Sequence, residues 1–117
     1  MHPDTATLLQ ALQNGSAAFA DVLAHIDARY AFTPTAFGNG ETQNEAGQNN
    51  GSCKVFAFAQ LEGLSAAQTL QLFAEHYAAV LATPTDSDHA NIRNFMRAGW
   101  GGIDFAGAPL VANKILL

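Results

Sequence analysis

A chain of 117 residues with 49% hydrophobic and only 13% charged side chains has the size of one domain and the composition of one that packs a core. That excludes a disordered or nucleic-acid-coating polypeptide. Five Lys plus Arg against ten Asp plus Glu leave a net charge of -5, which repels phosphate backbones and predicts no DNA or RNA partner.

The first fourteen residues contain no Lys or Arg, and Gln10 and Gln13 interrupt the leucines, so no secretory signal is predicted. The longest apolar run, Val55 to Ala59, is far short of the roughly 20 residues that a membrane span needs, and no membrane partner is expected. One cysteine, Cys53, excludes an internal disulfide framework and fits a reducing, cytoplasmic setting.

In chain order, Asp4 or Thr5 is placed to cap a helix carrying Leu8, Leu9 and Leu12 on one face, stopped at Asn14-Gly15. Ser16 is placed to cap a second helix with Phe19, Val22, Leu23, Ile26 and Tyr30 inward, and the short connection makes the two a hairpin. From Phe32 to Phe37 the period is lost; Thr33-Pro34-Thr35 favours extended backbone, with Pro34 suited to an edge. The segment Gly38 to Gly51, GNGETQNEAGQNNG, holds no apolar side chain larger than Ala46. It reads as a long polar surface loop within one domain, outside the core.

Ser52 is placed to cap a helix from Lys54 to Glu62 ended by Gly63. Ser65-Ala66-Ala67-Gln68 is a capping box, and one long helix carrying Leu70, Phe73, Tyr77, Val80 and Leu81 follows until Thr83-Pro84. Ser87 or Asp88 is placed to cap a last helix with Ile92, Phe95 and Met96 inward, ended by Gly99. Ile103 to Phe105 and Leu110 to Leu117 read as a small terminal hairpin about Ala106-Gly107.

PTAFGNG at Pro34 to Gly40, NEAGQNNGSCKVFAFA at Asn44 to Ala59 and DHANIRNFMRAGWGGIDF at Asp88 to Phe105 closely resemble the HopJ type III effector family, over nearly the whole chain. The resemblance implies one small domain of mixed α and β character and a name taken from a plant-pathogen protein delivered by type III secretion. It implies no biochemical activity. A secretion signal of that type is normally a flexible polar leader, and here the first helix is predicted to begin by about Asp4. The expectation is therefore a resident cytoplasmic protein, with translocation and a host-protein partner as the alternative.

The chemistry-bearing residues concentrate at Gly51-Ser52-Cys53-Lys54. With Ser52 as the cap, Cys53 stands in a first helical turn, where free amides, the helix dipole and the Lys54 cation favour a thiolate. His89 is the candidate base, oriented by Glu41, Glu45 or Asp88, in a Cys-His-acid arrangement for acyl transfer. Against this stands a plain packing role for Cys53 beneath Phe56, since free cysteines are among the most buried side chains. The same turn could hold an anion on glycine-flanked amides, although no Walker or dinucleotide pattern is present and Glu41 and Glu45 oppose it.

Asn39, Asn44, Asn49 and Asn50 with Glu41 and Glu45 could cage a hard cation, but their spacing does not follow a calcium loop, and Asx-turns that satisfy the loop's own backbone are the preferred reading. His2, His25, His76 and His89 are scattered with no ligand spacing, so no metal or cofactor is predicted. Arg93 and Arg97, at i and i+4, read as structural partners of loop carboxylates. Trp100 offers a stacking surface or, as the ordinary alternative, a lid on the core.

The fold expectation is a single α+β domain over residues 1–117, helix-dominated, with a small β-sheet or partial barrel formed by segments near residues 30–37 and 101–116. If those segments pair, the polar loop, the Cys53 helix start and the Trp100 corner meet in a cleft. The functional expectation is a small binding or protein-interaction domain for a small molecule or protein, its ligand residues drawn from Asn39, Asn44, Asn49, Ser52, Lys54, Arg93 and Trp100. An enzyme using Cys53 and His89 is the alternative.

Overall fold

The computed structural model describes residues 1–113. Helix α1 runs Pro3–Gln13, with Pro3 at the first position, where its missing N–H costs nothing. Its cap is His2 rather than Asp4 or Thr5: the imidazole Nδ1 accepts the Asp4 N–H at 3.1 Å. Leu8 and Leu9 are buried, and Gly15 at φ 79° reverses the chain. Ser16 closes α1 instead of opening the next helix, its hydroxyl donating to the Ala11 carbonyl at 3.3 Å. Helix α2 spans Phe19–Arg29. Its first amides are taken by carboxylates, Asp21 Oδ2 on the Ala18 N–H at 2.8 Å and Glu75 Oε1 on the Phe19 N–H at 2.7 Å.

The two β regions do pair with each other. Strand β1 (Tyr30–Phe32) lies antiparallel to β5 (Leu110–Ala112), with Ala31 opposite Val111. Strand β2 (Phe37–Asn39) is the centre of a second sheet, between β3 (Thr42–Asn44) and β4 (Ile103–Phe105). The expected terminal hairpin is therefore not formed: β4 and β5 each pair with an earlier strand. The backbone around the Ala106–Pro109 link is already used that way, Ala106 N–H donating to Ala36 and Thr33 N–H to the Pro109 carbonyl. Residues 114–117 of the expected last strand lie outside the described residues.

The polar segment after Phe37 is likewise not a coreless loop. Gly40-Glu41 is a two-residue hairpin turn, with Gly40 at φ 59° supplying the positive dihedral such turns require. Asn39 and Asn44 are fully buried. Burial is tolerated because the asparagines bond one another and the backbone, so no apolar side chain is needed to hold the segment in place.

Helix α3 runs Asn50–Leu61 and carries the densest stretch of core, Cys53 and Val55 to Ala59. The Ser65–Gln68 capping box opens α4 (Ala66–Gln71), both reciprocal bonds being present. The single long helix expected beyond it is broken. The chain turns at Leu72–Ala74 and restarts as α5 (Glu75–Ala82), the break buries both Leu72 and Phe73, and Leu81 is left exposed. Helix α6 spans Ala90–Ala98 behind His89, not behind Ser87 or Asp88. Ile92 and Phe95 point inward, whereas Met96 is exposed.

A 3-10 turn at Gly99–Gly102 leads into β4. Here the backbones touch: the Gly40 N–H donates to the Gly102 carbonyl at 3.0 Å, and a Cβ on Gly102 would stand 2.9 Å from the Gly40 nitrogen. At the centre of the core the Phe56 ring contacts Phe37, Phe73, Phe95 and Trp100. Among the described residues no helix is long and apolar enough to cross a membrane.

Candidate functional site

A cavity of about 360 Å³ opens where the start of α3 faces the start of α6, lined in part by Phe19, Ser52, Phe73, His76, His89 and Asn91. Its apolar wall is Phe19 stacked on Phe73 at 6.0 Å, with Phe19 lying against Gly51, where a Cβ would stand 3.4 Å from the ring. The polar side combines the Thr42 and Ser52 hydroxyls with the Asn49 and Asn91 amides.

Both helices begin in an unusual way. Asn49 and His89, the residues before the first turns of α3 and α6, have φ 52° and ψ near 47°, and neither side chain caps its helix. The first backbone bonds are Cys53 N–H to Asn49 and Arg93 N–H to His89. The amides ahead of them in each first turn take no acceptor among the described residues and stand at the mouth of the cavity. The remaining non-glycine residue at positive φ among the described residues is Ala74, at φ 51° and ψ -122°, just ahead of α5 and His76. Of the three, Asn49 and His89 line the cavity, and Ala74 follows the lining residue Phe73.

Beneath the site lies an asparagine cluster. Asn44 Oδ1 accepts from Asn49 Nδ2 at 2.7 Å and from Asn91 Nδ2 at 3.0 Å. Asn91 Oδ1 accepts from Asn39 Nδ2 at 3.0 Å and Asn44 Nδ2 at 3.2 Å. The β2–β3 hairpin is thereby bonded to both helix starts, which fixes their separation. The remaining acceptor, Asn39 Oδ1, is buried without a partner.

Two carboxylates stand beside the opening, each engaged. Glu75 is held below the usual carboxylate range by the Phe19 N–H. Asp88 is lowered by its hydrogen bond to Arg93, at 2.7 Å, and Asp88 Oδ2 stands 3.8 Å from His89 Nε2.

Of the residues singled out from sequence, the cavity brings together Asn49, Ser52 and His89. Cys53 is not among its lining residues. Because α3 starts at Asn50, three residues earlier than a Ser52 cap would dictate, the Cys53 N–H is already bonded to Asn49 and its side chain falls on the inward face, fully buried. Its thiol donates to the Thr35 carbonyl at 3.6 Å, and burial pushes its pKa up rather than down. The packing role is the one that the structure places there.

Lys54 points away from the cavity, pairing with Asp27 at 2.9 Å and lying 5.0 Å over the Phe32 ring. Arg93 is buried and spent on structure, binding the Thr83 carbonyl and hydroxyl and both the carbonyl and carboxylate of Asp88, so that it ties the end of α5 to the start of α6. Arg97 bonds Asn94 rather than a loop carboxylate. Trp100 covers the core, its Nε1 donating to the Leu64 carbonyl at 3.0 Å. Asn39 and Asn44 support the site from below without lining it.

Sequence reasoning missed Phe19, Phe73 and His76 as lining residues. Their spacing marked Phe19 and Phe73 only as helix-face residues and left His76 among the scattered histidines, and the break at Ala74 ahead of His76 has no glycine or proline to announce it. The rings of His76 and His89 are 5.3 Å apart between centroids.

The chain matches the family described as HopJ type III effector protein over residues 5–110. It is also similar to the crystal structure of the protein VPA0580, described as of unknown function, with 45% identity, a TM-score of 0.86, and 97% of this chain and 95% of that chain covered. No curated protein matches.

Proposed function

Starting from a chain that belongs to the HopJ type III effector protein family, a membership that names no chemistry, we propose that it is a small-ligand binding domain whose site is the cavity between α3 and α6. The ligand is an organic anion with a compact ring or alkyl body: the body lies on Phe19 and Phe73, and the head accepts from the first-turn amides of both helices and the Ser52 and Thr42 hydroxyls.

The observation that carries this reading is that Asn49 and His89, both at positive φ, line the cavity, with Ala74 next in the chain to the lining residue Phe73. A non-glycine residue held at positive φ costs up to roughly 1–3 kcal/mol, least for Asn49 and most for Ala74, and persists where the surroundings over-determine it, most often at ligand sites. Catalysis through Cys53 draws no support from a buried thiol of raised pKa. A host-protein partner rests on the family name alone.

The test is an amide NMR titration with benzoate, phenyl phosphate and benzyl alcohol. The expected result is saturable shifts at Gly51, Ser52, Ala90 and Asn91 with the two anions, and binding of the neutral alcohol weaker by about tenfold or more. Shifts centred elsewhere, such as the groove of Ala57, Gln60 and Pro109, or no saturable shift, would overturn the assignment.

A further inference from the structure

We propose that His76 and His89 are the protein's ligands for a divalent transition-metal ion of the zinc class, bound at the mouth of the same cavity. The two rings come from different elements, α5 and the residue ahead of α6, and converge with centroids 5.3 Å apart and planes inclined by 41°. Two imidazoles on one tetrahedral zinc, with Zn–N of about 2.0–2.1 Å, place their ring centroids about 5.2 Å apart. The observed centroid separation matches the one that a shared ion would set.

The backbone on both sides holds the rings in that relation: His89 is itself left-handed, and His76 follows the strained Ala74 by two residues. His76 is further fixed by edge-on packing against Phe19, with centroids 4.8 Å apart. His89 has Asp88 Oδ2 at 3.8 Å from its Nε2, beyond hydrogen-bond reach, so that Asp88 acts on the ring through its charge. Asp88 in turn is anchored by the buried Arg93. Glu75, next to His76 and seated on the Phe19 N–H at 2.7 Å, is a second carboxylate near the pair, and the two favour a cation on a chain that carries -5.

Among the described residues no group of three or more His, Cys, Asp and Glu surrounds one point. With two protein donors, the ion would keep at least two positions for water or a ligand, one more than the three-ligand open sites of zinc enzymes and unlike the closed four-ligand structural sites. Imidazole donors select zinc, copper or nickel over magnesium or calcium. The proposal rests on the cavity being the ligand site, because the anionic head is what would fill the open positions. Zinc alone tests it separately.

The experiment is calorimetric titration of chelator-treated protein with zinc chloride, made in a His2→Ala background to remove a competing imidazole near the N-terminus, together with NMR of the imidazole nitrogens. The expected result is one zinc per chain, with the His76 and His89 resonances moving and that of His25 unmoved. His76→Gln and His89→Asn should each weaken binding by about tenfold or more; Asn is chosen because it tolerates φ 52°. If either variant fails to fold, the imidazole spectra of the parent protein still decide. No binding, binding that survives both substitutions, or shifts at other histidines would overturn the proposal. Benzoate binding by zinc-free protein would show the cavity reading to hold whatever zinc does.

Discussion

Ala74 is where the backbone argument is most exposed to refutation. At φ 51° and ψ -122° a Cβ is forced into a region that only glycine enters freely, at a cost of roughly 1–3 kcal/mol. Ala74→Gly removes that cost. It also frees the unfolded chain, which takes back about 0.4–1 kcal/mol, and it deletes a half-buried methyl worth about 0.4 kcal/mol. The expected net is a stabilisation of about 1 kcal/mol. Over 117 residues an unfolding entropy of about 2.1 cal/mol/K per residue converts this to a rise in Tm of about 4 °C. The same substitution at Ala79, exposed in the interior of α5, should have the opposite sign, a loss of about 1 kcal/mol. Urea unfolding of both variants with unchanged m-values is the assay. If Ala74→Gly destabilises as much as Ala79→Gly, residue 74 is not strained, and the reading of the cavity as a place where strain is maintained loses its main support.

Other consequences are more direct. Cys53 should resist iodoacetamide in the native protein near neutral pH and react completely in denaturant, as thiol counting by mass spectrometry would show; rapid native labelling would contradict its burial. Asn44→Ala leaves the Asn49 and Asn91 side-chain amides without their shared acceptor, and a loss of about 3 kcal/mol in urea unfolding is expected. A loss below about 1 kcal/mol would mean that the cluster is replaceable by water. His25 is held below the ordinary imidazole value chiefly by burial, and next by Arg29, and its Nε2 has no partner. Its folded pKa therefore lies under its unfolded one, the unfolded chain binds the extra proton first, and stability should fall as pH is lowered through about 6.5. In His25→Phe that part of the slope between pH 7.5 and 5.5 should vanish; an unchanged slope would assign the acid sensitivity elsewhere.

What could be read from the sequence was what local chemistry decides. The Ser65–Gln68 box, the Gly99 stop and the Thr83-Pro84 stop each rest on one side chain or one dihedral, and each appears where it was expected. The pairing of the segments near 30–37 with those beyond 101 was legible because two isolated extended stretches need partners. The starts of α3 and α6 were not. Ser52, Ser87 and Asp88 are sound caps by residue type, yet both helices are opened by left-handed residues, Asn49 and His89, whose conformation is imposed by packing from outside the segment.

The asparagine cluster explains both the displaced helix starts and the absence of an apolar residue from Gly38 to Gly51. Each buried amide requires partners, and Asn44 finds them on Asn49 and Asn91, one at each helix start. The hairpin therefore needs no hydrophobic anchor, but it must be seated correctly or leave several polar groups unsatisfied in the core. A seat with that requirement fixes the distance across the cavity more stiffly than an apolar contact, which can slide. Stiffness is what a site requires if it is to hold two imidazoles and two rows of amides in register without a ligand to organise them. Asn44→Asp tests this apart from stability. The added carboxylate oxygen would face the Phe37 carbonyl and Asn91 Oδ1, and the cost of seating it should open the hairpin before the core unfolds. Hydrogen exchange at Gly38 to Asn44 should then accelerate while Phe56 and Phe58 stay protected. Loss of protection in both together would show that the hairpin and the core form a single cooperative unit.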